Sequence, residues 1–301
     1  MRRARTHNGR VHTTLSGLRP EVVAHRGSSH TRPEHTAAAY LLAIEEGADA
    51  VECDVRLTAD RHLVCVHDRR IDRTSTGAGL VSSLTLEQLM AYDYGAWRDQ
   101  PSAGVLTLES LLDLIAAAPR RVGLAVETKH PNKFRGAVEV ELARVLRDRG
   151  LVPGPDATAP ETAPPEATAP AAAPPDAGAA PPDATATTPV RVMSFSVLAM
   201  RRMGQLAPAL PRVLLNEAGV RRQVRAGGLP FGIPICGIST GLLRRDPGLV
   251  QRQHARGHAV HVYTVDEPDD IRRCLEAGID GIITNRPAAV REAVGAVWDS
   301  R

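Results

Sequence analysis

A chain of 301 residues with 43% hydrophobic content can bury a large core, and at 3% aromatics that core must be built mainly from Val, Leu, Ile and Ala. A formal charge of +3, with arginines scattered rather than clustered, offers no basic stripe and argues against a nucleic-acid partner. No apolar run of about 18 residues and no apolar leader segment occurs, so neither stable membrane insertion nor export is expected.

Residues 1–20 are read as a flexible N-terminal extension. From there strand and helix signals alternate. Glu21–Ala24 is a short apolar strand, and Glu34–Gly47 reads as a helix closed by glycine. Ala48–Val55 and Leu63–Val66 are strands joined through a turn at Asp60-Arg61. Thr107–Ala118 is helical, with Leu108, Leu111, Leu112 and Ile115 on one face, and Val122–Val126 is again a strand. Phe134–Arg149 is an amphipathic helix. Residues 152–189, almost wholly Pro, Ala, Thr, Asp, Glu and Gly, cannot bury enough apolar surface to offset their ordering entropy and are expected to be a disordered insert. Alternation resumes with strands at Val190–Phe195, Arg212–Leu215, Ile235–Ile238, Ala259–Val265 and Gly281–Thr284. Helices are expected at Val197–Leu206, Asp246–Gly257, Pro268–Ala277 and Pro287–Val297.

Repeated strand–helix units imply parallel strands with right-handed crossovers. The economical reading is an α/β fold, a (β/α)8 TIM barrel over residues 21–298, with an open doubly wound sheet as the alternative that periodicity leaves standing. The insert, lying between a helix and the next strand, should hang from the face opposite the catalytic mouth, so its deletion should spare activity. Cys53, Cys65, Cys236 and Cys274 form no C-x-x-C pair and read as buried free thiols of a reducing, cytoplasmic compartment. Cys65 is expected inside the barrel beneath His67.

Polar clusters fall at the C-terminal ends of the expected strands, the face on which barrel active sites are built. His25-Arg26-Gly27, Glu52-Cys53-Asp54, His67-Asp68, Glu127-Thr128-Lys129, Tyr263-Thr264-Val265 and Thr284-Asn285-Arg286-Pro287 all lie there. Strand alternation puts Glu52 and Asp54 on one side, and Glu127 with Lys129. Three carboxylates, Glu52, Asp54 and Glu127, suit a hard divalent cation, Ca2+ or Mg2+, with the choice open between them. His25 and His67 form a candidate acid/base pair, and Arg26 and Lys129 are candidate phosphate contacts. His261, two positions before Tyr263, is read as a buried, hydrogen-bonded core histidine.

Taken in order, His25-Arg26-Gly27, Pro33-Glu34-His35-Thr36, Glu52-x-Asp54, His67-Asp68, Arg73-Thr74-Ser75-Thr76-Gly77, Thr107-Leu108-Glu109, Glu127-x-Lys129, Ser194-Phe195, Tyr263-Thr264-Val265 and Asp280-Gly281-Ile282-Ile283-Thr284-Asn285-Arg286-Pro287 resemble the signature of the glycerophosphodiester phosphodiesterase family. The resemblance runs from about residue 21 to 290 and omits only the low-complexity insert. It implies metal ligands at Glu52, Asp54 and Glu127, an acid/base pair at His25 and His67, and substrate contacts at Arg26, Lys129 and Tyr263. It also implies a small insertion beside the site, from His67-Asp68 to Gly95, and a small-molecule glycerophosphodiester substrate hydrolysed to an alcohol and sn-glycerol 3-phosphate. Two positions depart from the pattern. His35 replaces the usual Asn and is read as a tolerated change, with an extra donor near phosphate as the alternative. Tyr263 stands where relatives often carry Trp, as an aromatic wall with an added hydroxyl.

A lysophospholipase D or sphingomyelinase D-like activity would call for an apolar rim at the mouth, and no exposed Trp or Phe cluster is expected there. A catalytically inactive scaffold acting through the Pro/Ala tract conflicts with the retention of both histidines and all three carboxylates. An aldolase- or isomerase-type phosphate barrel would need more than Gly278 and Gly281 late in the chain. The sequence sets neither the alcohol moiety nor the oligomeric state.

Overall fold

The computed structural model describes residues 19–152, 188–217 and 222–298. Nearly all of the expected extension, with His7 and His12, and nearly all of the Pro/Ala-rich insert lie outside the described residues.

The described strands in chain order are β1 (Glu21–His25), β2 (Ala50–Leu57), β3 (Leu63–Cys65), β4 (Gly123–Thr128), β5 (Val190–Ser194), β6 (Arg212–Asn216), β7 (Ile235–Ser239), β8 (Ala259–Tyr263) and β9 (Gly281–Thr284). Eight are parallel and run around the ring as β1-β9-β8-β7-β6-β5-β4-β2, and pairing of His25 with Glu52 between β1 and β2 closes it. The fold is a TIM barrel. The remaining strand, β3, runs antiparallel to the far end of β2, pairing Val55 with Cys65 and Leu57 with Leu63. It is not a stave of the barrel, as a uniform strand–helix alternation implied. The five residues between Leu57 and Leu63 make a tight turn, too short for the crossover that a parallel pair needs. The small insertion therefore starts with β3 and carries its own apolar cluster of Val64, Val66, Ile71, Val81, Leu89 and Tyr94.

Two packing layers follow from strand alternation. Side chains facing outward, such as Val51, Cys53 and Val55 on β2, meet the helices, where Leu108, Leu111, Leu142 and Met200 are fully buried. Side chains facing inward form a short plug of Val23, Ala50, Ala125, Met193, Val213, Leu215 and Ile283. Cys65 belongs to the outer layer with Cys53, because the antiparallel return of β3 turns its side chain toward the helices. It does not pack inside the barrel. All four cysteines are free and buried.

Helix starts fall on short polar residues whose oxygens accept orphan backbone N–H groups: Thr36, Thr107, Ser196 and Ser239 each cap a helix this way. Capping by Thr36 confines the first helix to Ala37–Glu45 and releases Glu34 and His35, expected to be helical, into the loop above the barrel. The helix expected over Asp246–Gly257 is the shorter Leu249–His254, and an unexpected helix, Thr240–Arg245, precedes it. Pro247 disfavours helical backbone at Asp246, which sits at φ −141° and ψ 71°. Among the described residues no helix is long and apolar enough to cross a membrane.

Candidate active site

The chain turns sharply where β1 leaves the barrel. Arg26 and Gly27 both take left-handed backbone, at φ 58° and 82°. A Cβ on Gly27 would sit 2.6 Å from the carbonyl carbon of Ala39, so only glycine fits there. The turn sends the Arg26 N–H onto Glu52, 3.0 Å from Oε2, and lets the His25 ring look into the mouth. The cavity at this end holds about 170 Å³ of free space and is lined by His25, Arg26, Glu52, His67, Glu127, Lys129 and Tyr263, with Phe195 and Glu217 on the far side.

Glu52, Asp54 and Glu127 present oxygens that all lie within 4.8 Å of one another, and all three residues are buried. Such a cluster repels itself. Burial, and then the charges of Asp54 and Glu127, push the Glu52 carboxyl well above its usual range. Burial and Asp54 push Glu127 up to about 8. Asp54 goes the other way: burial opposes its charge, but Lys129, His35 and Arg26 hold it well below the usual carboxylate range. Lys129 Nζ stands 2.9 Å from Glu127 Oε1 and 3.2 Å from Asp54 Oδ1. That second contact is an ion pair without hydrogen-bond geometry, leaving Asp54 Oδ1 buried with no hydrogen-bond partner. An orphaned anionic oxygen among crowded carboxylates, all of them hard donors, fits a divalent cation such as Ca2+ or Mg2+.

The two histidines are held differently. The amide nitrogen of Asn285 donates to Asp266 Oδ2 at 2.6 Å, so the amide oxygen must be the atom 2.8 Å from His25 Nδ1. His25 therefore carries its proton on Nδ1, and Nε2 is left with a lone pair, 4.0 Å from Glu52 Oε2. Burial and then the Arg26 charge lower the His25 pKa to about 4, which keeps the ring neutral near pH 7. His67 is one-third exposed and its Nδ1 lies 2.7 Å from Asp68 Oδ1, which assigns the donor proton to Nδ1 there also. Asp68 is in turn bonded by Arg73 Nε at 2.6 Å, and Arg73 grips Glu34 through two bonds of 2.8 Å. His67 does not end a barrel strand. The antiparallel excursion after β2 delivers it, and the guanidinium of Arg56 anchors its carbonyl at 2.9 and 2.6 Å.

All of the residues singled out from the sequence meet here, some with altered duties. The Arg26 guanidinium donates from Nη1 to Glu34 Oε1 at 2.9 Å, while its Nε stands 3.1 Å from Asp54 Oδ2 as an ion pair without hydrogen-bond geometry. Tyr263 supplies the expected wall, edge-on to Phe195 with centroids 5.9 Å apart. Its hydroxyl donates to the Asn216 carbonyl at 2.8 Å, so the added group braces the strand ends. His35 does not line the cavity; it is buried and bonds to Asp54 and Tyr40. His261 is buried as expected, yet its Nδ1 has no hydrogen-bond partner. Asn285, Asp266, Glu34, Phe195 and Glu217 had been given no role. The strand-end rule could have found Glu217, which directly follows β6. Phe195, which lines the cavity, is 42% exposed and gives the mouth an apolar side chain that the sequence does not suggest.

Comparison with known proteins agrees with this geometry. Residues 25–148 and 176–289 match the Glycerophosphoryl diester phosphodiesterase family. A Mycobacterium tuberculosis protein named "Probable glycerophosphodiester phosphodiesterase 1" is 43% identical over 279 residues, 90% of this chain and 91% of its own. The glycerophosphodiester phosphodiesterase of Caldanaerobacter subterraneus is 29% identical over 268 residues, 88% of this chain and 94% of its own. Among solved structures, an Oleispira antarctica phosphodiesterase in complex with the product sn-glycerol-3-phosphate superposes with a TM-score of 0.72 at 22% identity, over 94% of this chain and 99% of that one. The barrel, its mouth and these relationships place the chain in the glycerophosphodiester phosphodiesterase family, as a phosphoric diester hydrolase.

Proposed function

We propose that this enzyme hydrolyses glycerophosphodiesters to an alcohol and sn-glycerol 3-phosphate, with a divalent cation, Ca2+ or Mg2+, held by Glu52, Asp54 and Glu127. The observation that carries the reading is a cluster of three buried carboxylates, two of which line the same cavity as a histidine whose Nε2 lone pair is free. The neighbour that binds sn-glycerol 3-phosphate as its product supports the same substrate class.

The bound cation would polarise the phosphoryl oxygens and offset the charge that develops on them. His25, neutral and oriented by Asn285, takes the proton of the attacking oxygen at Nε2. As the new P–O bond forms and the bond to the alcohol breaks, His67, entering the step as the imidazolium, gives its Nε2 proton to the departing oxygen and keeps its Nδ1 proton on Asp68. Lys129 and the part of Arg26 not engaged by Glu34 and Asp54 bind phosphate, and Phe195 with Tyr263 shields that side from water. Four buried free thiols support cytoplasmic placement. The exposed Phe195 at the mouth favours a second reading, in which the glycerol arm carries an acyl chain and the activity is that of a lysophospholipase D.

Release of glycerol 3-phosphate from glycerophosphocholine and glycerophosphoethanolamine, with Ca2+, Mg2+ or a chelator, tests this. The expected outcome is metal-dependent release that is lost in His25→Ala and Glu52→Ala. Release only from lysophosphatidylcholine, as lysophosphatidic acid, would move the assignment to the second reading.

A further inference from the structure

His35 lies in the loop between β1 and the helix Ala37–Glu45, and its surroundings are specific. The backbone is left-handed at φ 61°, and the His35 N–H donates to the Arg26 carbonyl at 3.1 Å. The ring is 4% exposed, with Nε2 3.0 Å from Asp54 Oδ2 and Nδ1 2.8 Å from the Tyr40 hydroxyl. Tyr40 is itself fully buried on the helix Ala37–Glu45, and its hydroxyl lies 3.2 Å from the Glu52 carbonyl oxygen. A carboxylate oxygen can only accept, so Nε2 donates to it. In the neutral ring Nδ1 must then accept, and the hydroxyl proton of Tyr40 serves the shorter of its two contacts.

We propose that His35 is a positioning residue for the metal site: with Tyr40 behind it, the ring fixes Asp54 through Oδ2 and so turns Oδ1 toward Glu127 as a preset ligand. The inference rests on the reading of Glu52, Asp54 and Glu127 as metal ligands. Three facts support it. Oδ2 has both His35 Nε2 and Arg26 Nε within 3.1 Å, so that oxygen is engaged. Oδ1 is the orphan, and it faces the ammonium that bridges to Glu127. The Asp54–His35–Tyr40 chain also ties β2, which carries both Glu52 and Asp54, to the helix packed outside it. Outer partners of this kind orient ligands, and their loss weakens metal binding by roughly 10- to 100-fold.

Asparagine is an informative substitution. It tolerates left-handed backbone, so the loop keeps its course. Its amide atoms overlie Nδ1 and Cδ2 of the ring, and nothing stands at the place of Nε2. His35→Asn thus keeps a partner for Tyr40 and removes the bond to Asp54. His35→Gln restores a donor near the Nε2 position.

Calorimetric titration of the chelator-treated full chain with Mg2+ and Ca2+, without substrate, reads the effect directly, with circular dichroism reporting folding. The expected result is affinity weakened by roughly 10-fold in His35→Asn, largely restored in His35→Gln, and weakened less in Tyr40→Phe. A folded His35→Asn variant with wild-type affinity would overturn the proposal, as would a His35→Gln variant as weak as His35→Asn. Wild-type protein that binds no divalent metal would overturn the metal reading together with it.

Discussion

Two groups of buried acids in this barrel show what distinguishes a site from a support. Glu139, fully buried at the start of the helix Ala137–Asp148, has His130 Nε2 2.6 Å from one oxygen and Arg202 Nη1 2.7 Å from the other. Burial opposes its charge, but the bond to His130 and then Arg202 bring its pKa below the usual value. Each oxygen has its own partner, and nothing further is needed. Glu52 and Glu127 are comparably buried, share two cations with Asp54, and are pushed up rather than down. The same residue types thus give a structural pin in one place and an incompletely compensated pocket in the other. Burial of a carboxylate indicates little about function; burial without sufficient positive charge indicates a good deal.

Substitutions can break this comparison, and the largest expected effect is chemical. His25→Ala should lower kcat/KM by about a thousandfold, the range for loss of a positioned base, while leaving metal affinity within about twofold in calorimetry. On the structural side, Glu139→Ala leaves His130 and Arg202 without their shared acceptor. It should cost about 3 kcal/mol in urea unfolding and leave the metal affinity of the folded protein unchanged. An effect of Glu139→Ala on metal binding would erase the distinction between the two clusters.

A pH series sharpens it. The Glu127 carboxyl is raised from 4.5 to about 8 in the metal-free fold, so the folded chain holds a proton that the unfolded chain has released across that window. Its contribution to stability is therefore present below pH 4.5 and is lost as pH rises toward about 8. Thermal unfolding of the metal-free protein should show this decline, Glu127→Gln should flatten it, and Glu139→Gln should not. The smallest effect is expected at the wall. Tyr263→Phe removes a single bond to the Asn216 carbonyl and should cost about 1 kcal/mol of stability, with kcat/KM changed by less than about threefold.

Much of this was legible in the sequence because barrel sites follow a positional rule. Residues at the C-terminal ends of strands share a face, and alternation alone put Glu52 with Asp54 and Glu127 with Lys129. What escaped was set by contacts distant in sequence or by chain direction. Periodicity marks Leu63–Cys65 as a strand but not the sense in which it pairs, so Cys65 is misplaced inside the barrel, and His67 reaches the mouth from an excursion rather than from a barrel strand. Thr36 looks like any threonine until its oxygen is seen capping a helix, and with that cap Glu34 and His35 leave the helix for the site. Asn285 acquires meaning only through Asp266 and His25, the latter 260 residues away.

The most direct test of the central claim, that this carboxylate cluster is built for a cation, is calorimetry of the metal-free chain with Mg2+ or Ca2+ at pH 7 in two buffers of different ionisation enthalpy. The account predicts a single site whose binding releases protons, since carboxyls held protonated in the empty cluster must ionise to coordinate. A folded protein that binds no divalent metal, or binds it with no proton release, would contradict it.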